Sequence, residues 1–136
     1  MKQPKLEWSD YFSGNPTTTL GPGEYKTTQT YSVSNVYILN CLFNGCTSGS
    51  NGGALYCSSS VTYLLVESSS FFSCKTSGSE GGAIYFSNTS NGQCVLYKVC
   101  GYDCYSTYTS SYSYGQFARI YVRDAASNKN YANYSS

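Results

Sequence analysis

Apolar residues recur at two fixed distances before three cysteines that are spaced almost evenly along the chain. In each case one such residue stands eight positions before the cysteine and a second stands ten positions before it. A spacing of two between inward-facing residues is the period of a β-strand. The pattern therefore predicts one equivalent strand in each of three repeats. The cysteines are Cys46, Cys74 and Cys104, the nearer residues are Ile38, Val66 and Leu96, and the farther ones are Val36, Leu64 and Cys94.

A longer phrase repeats in the same register. "CTSGSNGGALYC" begins at Cys46 and "CKTSGSEGGAIYF" begins at Cys74, and Phe43 and Phe71 each stand three positions before these cysteines, where the third repeat has Gly101. Self-similarity at a fixed period of this length is typical of solenoids, in which each coil buries its inner face by stacking on the next. We match four downstream rows, and we assign the longer last interval to an insertion, "YSTYTSSYSYG", at residues 105–115. The rows are Leu55-Tyr56, Ile84-Tyr85, Ile120-Tyr121 and, more loosely, Glu24-Tyr25.

The residues between the repeats indicate which solenoid this is. "CSSSVTYLLVESSSFFSC" has β-branched and aromatic alternation bounded by serines, and the whole chain has only eight leucines, which excludes helical and leucine-rich repeats. The sequence therefore predicts an all-β parallel β-helix of about four coils, with three short strands in each. We expect the glycine pairs to form corners of positive φ. Ordinary hairpin turns of a β-sandwich remain the alternative for these pairs, which are Gly52, Gly53, Gly81 and Gly82.

The cysteines fit an interior role better than a metal site. Cys46, Cys74 and Cys104 recur at one position of the coil, so we expect them to stack as small apolar side chains in a core ladder with Ile38, Val66 and Leu96. The spacings lack the paired CxxC of a zinc ribbon, so we predict no metal and no other cofactor. Seven cysteines are an odd number, so at least one is unpaired within a single chain.

The repeats resemble a known family. "GGALY" and "GGAIY", each preceded by an aromatic-x-x-Cys element ("FNGC", "FFSC"), are similar to the GGA[ILV] and FxxN repeats of polymorphic outer-membrane-protein passenger domains, although Cys46 and Cys74 stand where that family has Asn. The resemblance spans about residues 25–122. It implies a right-handed parallel β-helix, a surface-exposed adhesive or structural role and an extracellular or cell-surface location, and it does not imply an enzyme.

The ends of the chain differ in composition. We predict an N-terminal cap in residues 1–24, coils in 25–122 and a polar tail in 123–136. "KLEWSDYF" places Leu6, Trp8, Tyr11 and Phe12 in a segment suited to being a lid over the first coil, whereas the tail makes a poorer lid. Since an uncovered strand edge invites association, we expect the C-terminal edge to bind another copy or further coils.

Charge and composition exclude several functions. The net charge is +1, with eight basic and seven acidic residues scattered along the chain, so nucleic acid is not an expected partner. There is no His, which excludes Ser-His-Asp, Cys-His and His-zinc sites. No apolar stretch has the length of a signal peptide or a membrane span, so we expect neither a leader nor membrane insertion in this chain.

Two further hypotheses remain besides the structural one: cleavage of a polysaccharide, and binding of glycan or protein through tyrosines. Glu67, Glu80 and Asp103 are the acids that would serve a polysaccharide-cleaving β-helix, although their register pairs none with another carboxylate. The inserted segment presents tyrosines among Ser and Thr, an amphipathic surface for glycan or protein, with a disordered low-complexity loop as the alternative. These candidate binding residues are Tyr105, Tyr108, Tyr112 and Tyr114.

Overall fold

The protein is all-β, as the apolar pattern predicts, and its strands pair in parallel. A computed structural model describes residues 7–78, 80–108, 116–123 and 130–134. A short 3₁₀ helix, Trp8–Asp10, precedes the first strand. The strands are β1 (Thr18–Leu20), β2 (Gly23–Tyr25), β3 (Gln29–Tyr31), β4 (Asn35–Leu39), β5 (Cys41–Asn44), β6 (Thr47–Ser48), β7 (Leu55–Cys57), β8 (Tyr63–Glu67), β9 (Ser70–Phe72), β10 (Lys75–Thr76), β11 (Ile84–Asn88), β12 (Gln93–Tyr102), β13 (Tyr105–Ser106), β14 (Ala118–Val122) and β15 (Tyr131–Tyr134).

Within the described ranges these strands form sheets of eight, three and four members. The largest has two halves that share β12. We call them sheet A (β1, β4, β8, the first half of β12, and β15) and sheet B (β2, β5, β9 and the second half of β12). Sheet C contains β6, β10 and β13, and sheet D contains β3, β7, β11 and β14. The chain visits the sheets in turn and then returns to sheet A. We call one such circuit a pass, and each strand pairs with the strand of the same sheet one pass later.

The inward positions of sheet A follow the predicted register residue by residue. Ile38 pairs with Val66, which pairs with Leu96, and all three side chains are buried. The same pairing aligns Val36, Leu64 and Cys94, so the residues that alternate in sequence lie together on the inner face. Burying a full aliphatic side chain stabilises the fold by about 1.5–3 kcal/mol, and stacking neighbouring passes is what makes this burial possible.

Sheet B carries an aromatic column along the core. The ring centroids of Tyr25 and Phe43 are 5.6 Å apart, and those of Phe43 and Phe71 are 4.7 Å apart. The Phe43 and Phe71 rings are stacked with nearly parallel planes. Gly101 comes next in register after Phe71. Phe117, from beyond the inserted segment, meets the edge of Phe71 at 5.7 Å and lies where a side chain on Gly101 would be. The last pass therefore takes its aromatic ring from a different part of the chain.

The N-terminal segment packs along the side of the stack. Trp8, Tyr11 and Phe12 are buried against the outer face of sheet A, in one cluster with residues of three consecutive strands. The ring of Phe12 stacks on that of Tyr63 at 4.6 Å. A lid over the first coil alone would not reach three strands, so this differs from the predicted cap. The reason is that sheet A is apolar on its outer face too, at Tyr37, Leu65 and Val95; Leu6 lies outside the described residues.

Removing the indole should loosen this segment. We expect Trp8→Ala to lower the free energy of unfolding by about 2 kcal/mol or more, because Trp8 contacts the rings of Phe12, Tyr37 and Tyr63. Denaturant unfolding measures the change. Ser9→Ala, at an exposed position beside it, is the control and should be neutral. Equal stability of the two variants would contradict the packing described above.

Two predicted rows have a different register. Ile84 pairs with Ala118 and Phe86 pairs with Ile120, so the Ile120-Tyr121 row is shifted by two residues from the prediction. A shift of two keeps every side chain on its face, so the alternating pattern cannot detect it. Tyr25 belongs to the aromatic column of sheet B, and β3 supplies the first row of sheet D. The match of Glu24-Tyr25 with Leu55-Tyr56 was therefore wrong.

Strand pairing extends beyond residues 25–122 in both directions. Strands β1 and β2 lie in the segment predicted as a cap, and β15 lies in the segment predicted as a polar tail. β15 pairs with β12 in sheet A. The Asn130 side chain anchors it: its Oδ1 accepts a hydrogen bond from the Cys94 N–H at 2.8 Å, and its Nδ2 donates to the Arg123 carbonyl at 2.9 Å. The polar composition of residues 123–136 does not indicate this strand, because the strand pairs through backbone hydrogen bonds, which composition does not reveal.

Several corners between the sheets use residues other than glycine in the left-handed conformation. Asn40, Ser68 and Lys98 have φ of 55°, 50° and 54°, and they follow paired residues at the end of the sheet A strands. Ser73 and Asp103 adopt similar angles after the strands of sheet B, where the preceding pass has Gly45. The left-handed region costs a non-glycine residue about 1–2 kcal/mol, so each such corner is locally unfavourable and is maintained by the packed strands on either side.

One of these corners offers a stabilising change. We expect Ser68→Gly to raise the free energy of unfolding by up to about 1 kcal/mol, because glycine adopts positive φ without strain while it adds some entropy to the unfolded chain. Ser68→Val, which is β-branched, should lower it. Thermal unfolding of both variants measures the difference. A lower midpoint for Ser68→Gly than for the unchanged chain would contradict the corner assignment.

Candidate functional site

The repeated glycines have two different roles. Gly52 and Gly81 have φ of 78° and 66°, whereas Gly53 and Gly82 do not have positive φ. A Cβ on Gly53 would lie 2.6 Å from the carbonyl oxygen of Lys75, and one on Gly82 would overlap the backbone of Tyr105. The expectation of positive φ therefore holds for the first glycine of each pair only. Glycine is required at the second position because two backbones approach each other there and leave no room for a Cβ.

Hydroxyl groups explain the "TSGS" part of the phrase. The Ser50 N–H donates to the Ser48 hydroxyl at 3.1 Å, the Gly78 N–H to that of Thr76 at 2.9 Å, and the Tyr108 N–H to that of Ser106 at 3.1 Å. Thr76 and Ser106 in turn donate to carbonyl oxygens of the preceding pass, at Ser50 and Gly78. Each pass thus turns away from sheet C through the same side-chain hydrogen bond. The phrase therefore encodes a corner.

The three marker cysteines form a column inside the stack. Cys46 and Cys74 are fully buried and Cys104 is partly exposed. Their Sγ atoms contact the carbonyl oxygens of Tyr25, Phe43 and Phe71, each one pass earlier, at 3.3, 3.5 and 3.3 Å. All seven cysteines are free thiols. The column therefore packs as the apolar, weakly donating group that its spacing predicts.

Three of the buried cysteines are held as neutral thiols, whereas a hydrogen bond with Cys74 lowers the pKa of Cys46. The Cys104 thiol lowers the pKa of Cys74, but contact with Cys46 and burial outweigh this and raise it to about 11. Burial raises the pKa of Cys94 to about 12 and raises that of Cys57 well above its usual range. Since the thiolate is the nucleophile and the metal ligand, none of these three neutral thiols is prepared for catalysis. In the described part of the chain, no cluster of His, Cys, Asp or Glu has the geometry of a metal site.

The acidic residues considered for glycan cleavage lie on different sides of the molecule. Glu67 is buried in sheet A, where it accepts a hydrogen bond of 2.6 Å from the Tyr37 hydroxyl; burial, and then this hydrogen bond, raise the pKa of Tyr37. Asp103 lies at the corner after sheet B, 3.6 Å from the Lys75 ammonium. Glu80 lies beside sheet D, 3.7 Å from Arg119. The structure does not bring these three carboxylates together.

Two of the four predicted binding tyrosines lie within the described residues. Tyr105 and Tyr108 are exposed, and the Lys75 ammonium lies 5.0 Å from the centre of the Tyr105 ring. Tyr112 and Tyr114 fall outside the described residues. Ile84 in sheet D lies nine positions after Lys75 in sheet C. The equivalent residues of the next pass, Tyr105 and Ala118, lie thirteen positions apart. The inserted length therefore falls where the sequence predicts it.

A shallow groove on sheet D was missed by the sequence reasoning. It has a volume of 250 Å³ and is lined by Glu80, Tyr85, Ser87, Arg119 and Tyr121. Tyr85 stacks on Tyr56 at 5.3 Å, and the Arg119 guanidinium lies 4.5 Å from the centre of the Tyr121 ring. Ser87 pairs with Tyr121, so a small residue lies next to a large one and leaves the depression. Only the shifted register of β14 brings these residues together.

A second, larger groove lies at the end of the stack. Its volume is 410 Å³, and its lining includes Cys100, Gly101, Tyr102 and Phe117. Tyr102 is 70% exposed, the highest value among the exposed large apolar side chains of the described residues. This groove borders the unpaired edge of sheet B and is mainly apolar.

The sequence Asn88-Thr89-Ser90 has the form of a glycosylation sequon, and its asparagine is enclosed in the folded chain. The side chain of Asn88 is buried, and its Nδ2 donates to the Val61 carbonyl and to Asn91 Oδ1, both at 2.8 Å. Its Oδ1 accepts from the backbone N–H groups of Ser90 and Asn91. The amide nitrogen is thus fully used by the fold.

Comparison of the chain with family models, with curated proteins and with solved structures found no match. No helix in the described part of the chain is long and apolar enough to cross a membrane.

Proposed function

We propose that this chain is a non-catalytic structural or adhesive module, built as a short right-handed parallel β-helix of about four coils that self-associates end to end. The observation that carries the proposal is the constant register: Val36 pairs with Leu64 and Leu64 with Cys94, one pass later each time. Such pairing along sheets A, B, C and D is what stacked coils require. Right-handedness is supported by the near-universal hand of crossovers between parallel strands and by the resemblance of the GGA repeats to surface β-helices.

The structural role is supported by how the residues are used. The double glycines, the hydroxyl corners and the cysteine column all serve the packing of one pass on the next. Among the described residues, β2, β3 and β14 are each paired on one edge only, and the backbone groups of their outer edges can form hydrogen bonds with another chain. Because an exposed strand edge is a template for pairing, association through these edges is the activity that the geometry favours.

Sedimentation equilibrium over a wide range of concentration tests the proposal. We expect the mean mass to rise with concentration, and Val122→Pro to weaken this rise, because the alternation of the parallel ladder turns the Val122 N–H towards the outer edge of β14 and proline removes that donor. The comparison variant is Ser59→Pro, in an exposed turn between β7 and β8. If neither this chain nor a variant ending at Arg123 associates at any concentration, self-association is wrong and a monomeric module replaces it.

A glycan-binding role is the second candidate, and the groove on sheet D favours it. Tyrosine faces pack on sugar rings, and the Glu80–Arg119 pair offers both acceptors and donors without net charge, which suits a neutral sugar. Titration with cellotriose, followed by NMR, tests this. We expect saturable shifts around Tyr85 that are lost in Ser87→Trp, which fills the depression, and kept in Tyr102→Ala. Shifts unaffected by Ser87→Trp would exclude the groove as the site.

A further inference from the structure

The end of the stack after the last pass is uneven. Sheet A has one more strand there than its neighbours, because β15 pairs with the far edge of β12. In sheets B and D, residues 100–102 and β14 are paired on one edge only within the described ranges. The outer edge of sheet A is therefore occupied and the outer edges of sheets B and D are open.

The first pass has the complementary arrangement. It consists of β1 in sheet A, β2 in sheet B and β3 in sheet D, all unpaired on their outer edges in the described part of the chain. Extending the observed register by one pass would place Tyr25 of a second copy opposite Gly101, and Lys26 opposite Tyr102. The aromatic column Tyr25–Phe43–Phe71 would then continue past Phe117 into the second copy.

Charge supports this register. The Lys26 side chain is 74% exposed, and its ammonium nitrogen lies 3.9 Å from a carboxylate oxygen of Glu24. On the opposite end, Asp103 directly follows Tyr102, and in this chain it already accepts an ammonium group, that of Lys75 at 3.6 Å. Docking would bring Lys26 of the second copy over an exposed aromatic ring and beside a carboxylate, which are both favourable neighbours for an ammonium group.

One strand stands in the way. β15 pairs Tyr131 with Val95 and Ala132 with Leu96. Val95 lies in the same column as Tyr37 and Thr19, and Leu96 in the same column as Ile38 and Leu20. The position that β15 occupies in sheet A is therefore the position that β1 of a second copy would take. Both strands cannot pair with β12 at once.

We propose that the end of the last pass is a docking surface for the first pass of a second copy, and that β15 competes for it as a displaceable plug. This rests on the proposed self-association and adds its register and its control. Docking would replace β15, a strand of four residues, by β1, β2 and β3 of the second copy, which have three residues each. The plug has the advantage of being attached to the chain, with a high effective concentration. It therefore prevails in dilute solution, and the second copy prevails when protein is concentrated.

Releasing the plug tests the competition. We expect a chain ending at Arg123, and the variant Asn130→Ala, to reach half-association at a concentration at least tenfold lower than the chain with residues 1–136. Asn130→Ala removes both anchoring hydrogen bonds and leaves the coils intact. The matched control is Asn51→Ala, which removes comparable side-chain bonds to Glu80 in the middle of the stack and should not promote association. Circular dichroism and a cooperative thermal transition establish that each variant is folded.

Charge reversal tests the register. Lys26→Glu and Asp103→Lys should each weaken the association of the released chain, and the double variant should recover it. Recovery supports the register, whereas weakening in all three variants overturns it. If the released and plugged chains associate alike, the plug is wrong while self-association stands. If no variant associates at any concentration, both the plug and the proposed self-association fail.

Discussion

Gly82→Ala is expected to lower the free energy of unfolding by about 4 kcal/mol or to prevent folding, because a single methyl group has no room at this corner. The Gly82 N–H donates to the Gln116 carbonyl at 3.0 Å, and a Cβ would overlap that oxygen and the backbone of Tyr105. The neighbouring atoms are backbone atoms of Tyr105, in β13, and of Gln116, just before β14, so neither can move without disturbing the pairing of its strand. Denaturant unfolding of the purified variant measures the loss.

The matched control for this change is Gly49→Ala. Gly49 belongs to the same repeated phrase, but the nearest atom to its Cβ would be the Ser77 hydroxyl at 3.9 Å, an ordinary contact. We expect a change within about 0.5 kcal/mol. If Gly82→Ala is as stable as Gly49→Ala, then the close approach between the passes at this corner does not exist.

Cys74→Asp is expected to lower the free energy of unfolding by about 5 kcal/mol, since it puts an unpaired carboxylate in the core. Cys74 is fully buried, and its Sγ atom contacts the carbonyl oxygens of Phe43 and Phe72 at 3.5 and 3.4 Å. A carboxylate there would face two acceptors and would have to bind a proton to remain. Loss of the cooperative unfolding transition at neutral pH would be the measured result.

Cys104→Asp is the control at the same column, because Cys104 is partly exposed and water can solvate the charge. Its effect should be less than half as large. Thiol labelling provides an independent measurement: Cys104 should react with a maleimide faster than Cys74, because Cys104 is partly exposed whereas Cys74 is fully buried and out of reach of the reagent. Equal labelling rates in the folded chain would contradict the core position of Cys74.

The sequence was most informative about what repeats locally. Residues such as Ile38, Val66 and Leu96 alternate with a period of two and recur before a cysteine, so both the strand and its pairing with the next pass followed from the pattern. The phrase with two glycines predicted a corner, although it did not indicate that only Gly52 and Gly81 have positive φ. Backbone contact between passes, which requires Gly53 and Gly82, has no local sequence signal.

Some relationships depend on distant residues and were therefore outside the reach of the pattern. Phe117 fills the space above Gly101, which a comparison of repeats treats as a simple loss of the aromatic ring. The shift of two residues in β14 keeps the same faces and leaves the alternation unchanged. This shift decides which side chains line the groove around Ser87.

The sequence by itself determined that the chain is all-β, that equivalent residues recur along it, and that its cysteines and glycines serve packing, because these follow from spacing and side-chain size. Only the tertiary structure decided where the two ends lie. Trp8 packs beside sheet A because that sheet is apolar on its outer face as well, and β15 joins it through backbone hydrogen bonds that polar side chains do not reveal. Both outcomes depend on surfaces that exist only after the passes have stacked.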